Sequence, residues 1–110
     1  MDTLIGSLYC VAFNFAPQGF ALCDGSLLPI AQYNALFSLL GTTYGGNGQT
    51  TFALPDLRGR APIGMGQRPG HANHVLGEVG GEAPTPEGAH RERITMNWII
   101  ATQGIYPSRS

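Results

Sequence analysis

The segment from Gly41 to Arg60, GTTYGGNGQTTFALPDLRGR, constrains the fold more than any other part of the chain. It holds five glycines and the pair Pro55–Asp56. Glycine reaches positive φ at low cost and proline fixes φ at about −65°, so this composition specifies turns instead of a long helix or strand. We therefore predict a segment that is ordered but irregular and that acts through the shape of its backbone.

The residues outside this segment predict a few antiparallel strands. Leu4–Asn14 and Phe20–Cys23 are rich in apolar, β-branched and aromatic residues and flank the turn sequence Ala-Pro-Gln-Gly, which predicts a β-hairpin. The alternating apolar residues of Ile94–Tyr106, interrupted at Gly104, predict a half-buried strand. We expect this last strand to pair with Leu4–Asn14 and to bring the two ends of the chain together.

One helix is predicted over Ile30–Leu40. Leu27-Leu28 before it suits a short extended piece, and Pro29 can begin a helix because its missing N–H costs nothing in the first turn. Gly41 is a natural helix end. An i, i+3, i+4, i+7 pattern forms one apolar stripe that should pack on the sheet, made of Tyr33, Leu36, Phe37 and Leu40.

The rest of the chain is predicted to be mostly turns. Thr51–Leu54 and Arg60–Met65 are expected to be short and extended, and Glu82–Glu92, with two prolines, a glycine and four charges, to be an exposed loop. The predicted fold class is α+β, mainly β: a small domain with antiparallel strands, one helix and long ordered glycine-rich loops. At 110 residues we expect a single domain over residues 1–110.

Composition favours oligomer contacts and argues against several partners. Charged residues make up 12% of the chain, about half of the usual share, and all six basic residues are arginine, which suits interfaces. A net charge of −1 without a basic cluster argues against nucleic-acid binding. The start, MDTLIGSLYCVAF, fits neither a signal peptide nor a membrane span, so we expect folding in the cytoplasm without membrane insertion.

The two cysteines, Cys10 and Cys23, lie on either side of the predicted hairpin turn and could face each other across it. Folding in the cytoplasm favours two buried thiols over a disulfide.

Five residues stand out near the glycine-rich segment as candidates for shaping loops or contacting other subunits. A spacing of two places Asp56, Arg58 and Arg60 on one side of an extended chain, where Asp56 and Arg58 can pair. Asp24 suits a turn in which its side chain accepts backbone N–H groups, and its charge should raise the pKa of the neighbouring Cys23. Tyr44, like Tyr106, could stack on a sugar, but a core or interface role is favoured for either residue.

The spacing of residues in the sequence reveals no catalytic or cofactor-binding motif. The Gly41–Thr51 run lacks the lysine of a phosphate-binding loop, with Asn47-Gly48 in its place. An enzyme acting on polysaccharide would need two carboxylates in a groove, for which the plausible sources are Asp24, Asp56, Glu78 and Glu82. We expect no enzymatic activity and no cofactor.

The stretch ALCDGSLLPIAQYNALFSLLGTTYGGNGQTTFALPDLRGR, from Ala21 to Arg60, resembles the core signature of the phage tail-collar family. The likeness begins upstream at Ile5-Gly6, resumes at Leu76–Gly81 and includes the C-terminal piece Asn97–Arg109. Members of the family often carry a longer, histidine-containing insertion before the last strand. Here the corresponding stretch is GGEAPTPEGAHRERIT, with one histidine.

The resemblance implies a homotrimeric collar in a phage tail fibre, tail tip or related injection device, made in the host cytoplasm and assembled with other tail or fibre proteins. Two segments outside the likeness, Pro69–Val75 and Glu82–Thr95, would be presented to a receptor. The receptor-contact candidates in them are His71, His74, His90 and Arg91. The histidines could also bind a metal between subunits, but surface histidines without a metal are favoured.

A second hypothesis is a bacterial surface or pilus-associated adhesin that uses the same fold to bind a glycan or a protein.

Overall fold

The computed structural model describes residues 3–81 and 92–109. The predicted loop Glu82–Glu92, except for Glu92, lies outside the described residues, and so do His90 and Arg91. The elements, in chain order, are β1 (Leu8–Val11), β2 (Phe20–Leu22), β3 (Leu27–Pro29), α1 (Asn34–Leu40), β4 (Thr51–Ala53), β5 (Gly66–Gln67), β6 (Asn73–His74) and β7 (Asn97–Ala101). Short antiparallel strands and one helix give the mainly β, α+β fold that the sequence predicts.

The largest sheet has three strands in the order β1-β7-β2, and both pairs are antiparallel. The predicted pairing of the last strand with the first is confirmed, with Tyr9 opposite Ile99. The predicted hairpin is wrong, because β7 lies between β1 and β2. Burial explains the order: Ile99 and Ile100 are almost completely buried, and a β1–β2 hairpin would leave them at a sheet edge.

The strand β7 is shorter than predicted and its burial does not alternate. Three consecutive residues, Ile99 to Ala101, are buried, whereas Ile94 and Met96 are exposed and precede the strand. A strand flanked on both sides and covered by other chain elements is buried on successive residues. The two ends of the chain do meet, as predicted, since the Ile5 N–H donates to the Ile105 carbonyl at 2.9 Å.

The helix is also shorter than predicted. Pro29 does not begin it but ends β3, opposite Thr51 of β4, and residues 30 to 33 form turns before α1. Pairing in the β3–β4 ladder holds Pro29 in extended geometry. The helix ends at Gly41 as expected, where φ is 56° and the N–H donates to the Phe37 carbonyl at 2.7 Å.

The core lies where the helix, the sheet and the glycine-rich segment meet. The predicted apolar stripe is confirmed: Leu36 is fully buried, and the other three members pack around the core. Phe52 and Leu54 from the glycine-rich segment are buried as well, and the Phe52 ring lies 5.5 Å from that of Phe37. Each such side chain contributes about 1.5–3 kcal/mol through burial, so this segment supplies core as well as turns.

Beyond the glycine-rich segment the structure departs from the prediction. β4 confirms the extended piece at Thr51–Leu54, but Arg60–Met65 forms no strand and is exposed throughout. Strand pairing comes later, between β5 and β6, with Gly66 opposite His74. Pro62 cannot donate a ladder hydrogen bond on its side of the segment, and no described segment pairs with residues 61–65 as a strand.

Candidate functional site

A single asparagine organises the turn at the tip of the glycine-rich segment. The Asn47 side-chain oxygen accepts the backbone N–H groups of Gln49 and Thr50 at 2.8 Å and of Thr51 at 3.1 Å. Its amide nitrogen donates to the Thr50 hydroxyl at 3.0 Å. These three hydrogen bonds from backbone N–H groups to one side chain fix the conformation of the turn. Sequence analysis did not single out Asn47, although the Asn47-Gly48 pair is a turn signal.

Close packing fixes the same turn from the other side. Gly46 has a φ of 92°, and a Cβ atom there would lie 2.7 Å from the Thr51 carbonyl oxygen and in contact with the Phe52 backbone. Backbone bonds join the two sides of the turn: Gly48 N–H donates to the Thr51 carbonyl at 2.9 Å and Ala53 N–H to the Gly45 carbonyl at 3.0 Å. Glycine is therefore required at position 46, and the predicted ordered, irregular loop is observed.

The charged end of the segment is held by the predicted ion pair. Arg58 donates two side-chain hydrogen bonds of 2.9 Å to the two oxygens of Asp56, a bidentate arrangement. Arg60 adds a bond of 3.0 Å to the Asp56 carbonyl. Hydrogen bonding from Arg58 lowers the pKa of Asp56 to about 2. The Arg58 side chain is 72% exposed, so this rigid charged group faces outward.

Asp24 lies opposite Asp56 in an isolated antiparallel bridge. Its side chain accepts the backbone N–H of Ser26 at 3.1 Å and also the Ser26 hydroxyl, so the predicted turn role is confirmed. The Gly25 N–H donates to the Pro55 carbonyl at 3.3 Å. Asp24 thereby ties the glycine-rich segment to the end of β2.

The two cysteines lie on opposite sides of Trp98 and form no disulfide. Cys10 is opposite Trp98 in the β1–β7 pair, and the Cys23 N–H donates to the Trp98 carbonyl at 3.0 Å. Cys23 is buried as predicted, but Cys10 is exposed because β1 is an edge strand. Burial first, and then the Asp24 charge, raises the pKa of Cys23 to about 12. The neighbouring Tyr44 is half-buried, and burial raises its pKa too.

The two described histidines are held by neighbours in their own segment. His74 Nδ1 lies 2.8 Å from Glu78 Oε2, and His71 Nδ1 lies 3.3 Å from an Arg68 guanidinium nitrogen. The His74 hydrogen bond lowers the pKa of Glu78. Within residues 3–81 and 92–109, no three His, Cys, Asp or Glu side chains come together as metal ligands.

Two open clefts lie beside β7, and among the described residues no Asp or Glu side chain lines either of them. One is lined by Phe13, Leu22 and Met96, among others, and the second by Cys23 and Arg58 together with Met96. Of the carboxylates considered for catalysis, Asp24 and Asp56 are engaged in the loop contacts above. Glu78 is bound to His74, and Glu82 lies outside the described residues. In the described part of the chain, no helix is both long and apolar enough to cross a membrane.

Fold and loop together define a small, mainly β structural domain built around one irregular, glycine-shaped loop. The family model of the phage tail collar domain matches residues 6–62, more than half of the chain, and the chain belongs to this family. The match runs from the start of the first sheet through the Asp56–Arg60 group. No curated protein matches the chain.

Membership identifies the chain as a structural component of phage tail fibres, located in the virion tail with other tail proteins. The likenesses noted at Leu76–Gly81 and Asn97–Arg109 lie outside the matched residues and stay predictions.

Proposed function

We propose that the protein is a homotrimeric collar that acts through its shape and has no catalytic activity. Rigid protomers would dock through the Gly41–Arg60 segment, and the exposed segments after it would face other tail proteins or a host receptor. Candidate subunit contacts are Asp24, Tyr44, Asp56, Arg58 and Arg60, and candidate receptor contacts are His71, His74, His90 and Arg91. That the oligomer has three subunits follows from the resemblance to the tail-collar family.

The observation that carries this proposal is the apolar surface that the described residues leave exposed. A stable interface buries about 800 Å² on each partner, so a subunit in a ring, with two interfaces, buries about 1,600 Å². Fourteen large apolar side chains of the described residues are exposed, and interfaces of this kind would cover them.

The chemistry of that surface supports the same proposal. Large apolar side chains are exposed after the glycine-rich segment, including Ile63 at 72% and Met65 at 66%. Apolar side chains that stay exposed in the protomer are candidates for burial at an interface. The large apolar side chains exposed among the described residues between positions 61 and 96 are those of Ile63, Met65, Val75, Leu76, Val79, Ile94 and Met96.

The proposal is tested by the mass of the purified protein in solution, measured by light scattering with and without a chelator. A mass near three times 11.7 kDa under both conditions supports the trimer. A trimer that dissociates on chelation would instead assign the histidines a metal between subunits. A monomer under both conditions would contradict the proposal.

The location and partners can be tested on particles. We infer that the protein is made in the host cytoplasm and joins other tail or fibre proteins there. An antibody against the chain should then label the tails of purified phage or phage-like particles in electron micrographs. Labelling of intact bacterial surfaces without particles would favour the adhesin.

The adhesin remains a second candidate because of one exposed aromatic pair. The rings of Phe13 and Phe15 lie 4.8 Å apart, and the Phe15 side chain is 56% exposed. Exposed aromatic faces suit stacking on a sugar. If the adhesin is correct, Phe15→Ala should abolish binding of the purified protein to whole cells without changing its mass in solution. Loss of the oligomer together with binding would assign the pair to subunit contacts.

A further inference from the structure

We propose that residues 61–65 of one protomer add a strand to the outer edge of β1 in the next protomer. The inference rests on the proposed trimer and names the surfaces that build it. Its evidence is that one chain carries both an open sheet edge and an exposed segment without regular structure that is long enough to pair with that edge, and that neither has a strand partner among the described residues.

The open edge can be located from the sheet register. The Cys23 N–H donates to the Trp98 carbonyl, so the backbone groups of Trp98 point towards β2. Alternate residues along a strand point to opposite sides, and Ile99 therefore faces β1, opposite Tyr9. Leu8 and Cys10 then direct their N–H and C=O groups away from β7. No backbone hydrogen bond within the described chain uses these groups.

The edge lacks the charges and prolines that often protect an edge strand against pairing. Natural edge strands carry charges, prolines or bulges that prevent another strand from adding to them. The sequence from Leu8 to Phe15, LYCVAFNF, has neither a charge nor a proline. An unprotected edge that persists in a folded domain is a site for strand addition.

Residues 61–65, Ala-Pro-Ile-Gly-Met, have the properties of the missing strand. All five are exposed, and no backbone hydrogen bond to them is found in residues 3–81 and 92–109. Ala61, Ile63 and Met65 point their backbone groups to one side of an extended chain. The missing N–H of Pro62 falls on the other side, as in edge strands. Two of these three residues can pair with Leu8 and Cys10, the residues that β1 presents on its open edge.

A second copy of this chain is the occupant that these features favour. Both surfaces are uncharged, and both leave large apolar side chains exposed, Tyr9 on β1 and Ile63 and Met65 in residues 61–65. Pairing of residues 61–65 with a neighbour's β1 is a head-to-tail contact, which gives a closed ring such as a trimer when the rotation between neighbours closes. Pairing of β1 with β1 would be symmetric and would stop at a dimer.

Crosslinking tests the contact directly because Cys10 already lies on the open edge. Cysteine is introduced in turn as Ala61→Cys, Ile63→Cys and Met65→Cys, and the proteins are oxidised and separated on a non-reducing gel. Paired strands place opposite Cα atoms about 5.5 Å apart, within disulfide range. We expect at least one variant to give dimers and closed trimers, and the same variant with Cys10→Ser to give neither.

Two separate proline substitutions test the backbone hydrogen bonds of the proposed contact. Ile63→Pro removes an N–H that faces the neighbour, whereas Gly64→Pro removes one that faces away, and a Cβ at Gly64 meets nothing within 4 Å. Ile63→Thr controls for the lost side chain. Ile63→Pro should weaken trimer association roughly tenfold or more relative to Ile63→Thr, and Gly64→Pro should leave it unchanged.

The outcomes separate this inference from the trimer itself. A wild-type trimer in light scattering with no crosslink to Cys10 from any of the three positions overturns the strand contact and leaves the trimer intact. Equal effects of Ile63→Pro and Gly64→Pro overturn it as well. A monomeric wild-type protein overturns both proposals, and Cys10–Cys10 dimers of the wild type would assign the edge to a symmetric contact.

Discussion

Two consecutive segments of this chain have similar glycine content and different structures. Gly41–Arg60 has five glycines and is tied to the core by Phe52 and Leu54. Residues 61–81 have six glycines, and none of the 21 residues is buried. The first segment is held by a network of backbone bonds, whereas the second has the short β5–β6 pair and a few local turns.

The difference shows that glycine sets which turns are possible and that buried anchors decide whether they become rigid. Phe52 and Leu54 draw the first segment into the core, so its backbone groups must find partners there. The apolar residues of the second segment, such as Ile63 and Val79, are not packed into the core and remain exposed. In the proposed assembly, neighbouring subunits would cover them.

The largest effect should come from Gly46→Ala. The new Cβ would clash with the Phe52 backbone and the Thr51 carbonyl, and φ is positive there. We expect a loss of about 3 kcal/mol or more in the free energy of unfolding, or failure to fold. Gly70→Ala is the matched control in the second segment, since φ is 81° but a Cβ meets nothing within 4 Å. It should cost about 1–2 kcal/mol, and equal losses in urea denaturation would contradict the comparison.

A smaller effect is expected from Asn47→Ala. The substitution leaves three backbone N–H groups without their acceptor, and we expect a loss of about 1–2 kcal/mol because water replaces part of the lost bonding. Gln67→Ala is the control from the second segment, where the side chain makes one bond of 3.0 Å to the His71 carbonyl. Its effect on urea denaturation should be within about 0.5 kcal/mol, and a loss as large as that of Asn47→Ala would count against the comparison.

The smallest expected effect is a change in how stability depends on pH in acid. The pKa of Asp56 is about 2 in the folded protein and 3.8 without its hydrogen-bond partners. Its contribution to the free energy of unfolding is therefore fully present above pH 4. That contribution is lost as the pH falls from about 4 to 2. Asp56→Asn should flatten the acid limb of stability between these values. Glu78→Gln, which removes a carboxylate from the second segment, should change the limb less, and the reverse ranking would show that the His74–Glu78 pair matters more.

Local patterns predicted the parts of the fold that depend on neighbouring residues. The stripe of Leu36 and Phe37, the helix end at Gly41 and the Asp56–Arg58 pair all follow from spacings of a few residues, and all are observed. The helix start was predicted too early because Pro29 suits both a first helical turn and an edge strand. Its partner, Thr51, is distant in sequence, and only the folded chain decides between the two.

The pairing of distant strands was predicted in part. The apolar character of Ile99 and Ile100 indicated a strand but not that it would lie at the centre of the sheet, so the predicted β1–β2 hairpin was wrong. Cys10 was expected to be buried because folding in the cytoplasm favours buried thiols, and it is exposed. Asn47 was missed because its three bonds depend on the fold of residues 47–51 and leave only the common Asn-Gly signal. The family resemblance, in contrast, rested on a long continuous stretch and was confirmed.

Amide hydrogen exchange at two glycines tests the central contrast most directly. The Gly48 N–H donates to the Thr51 carbonyl at 2.9 Å, whereas the Gly64 N–H has no acceptor among the described residues and would face away from a neighbouring strand. We predict that Gly48 exchanges roughly a hundredfold or more slowly than Gly64, in the monomer and in the oligomer alike. Equal exchange at the two positions would contradict the claim that anchored backbone bonding distinguishes the two segments.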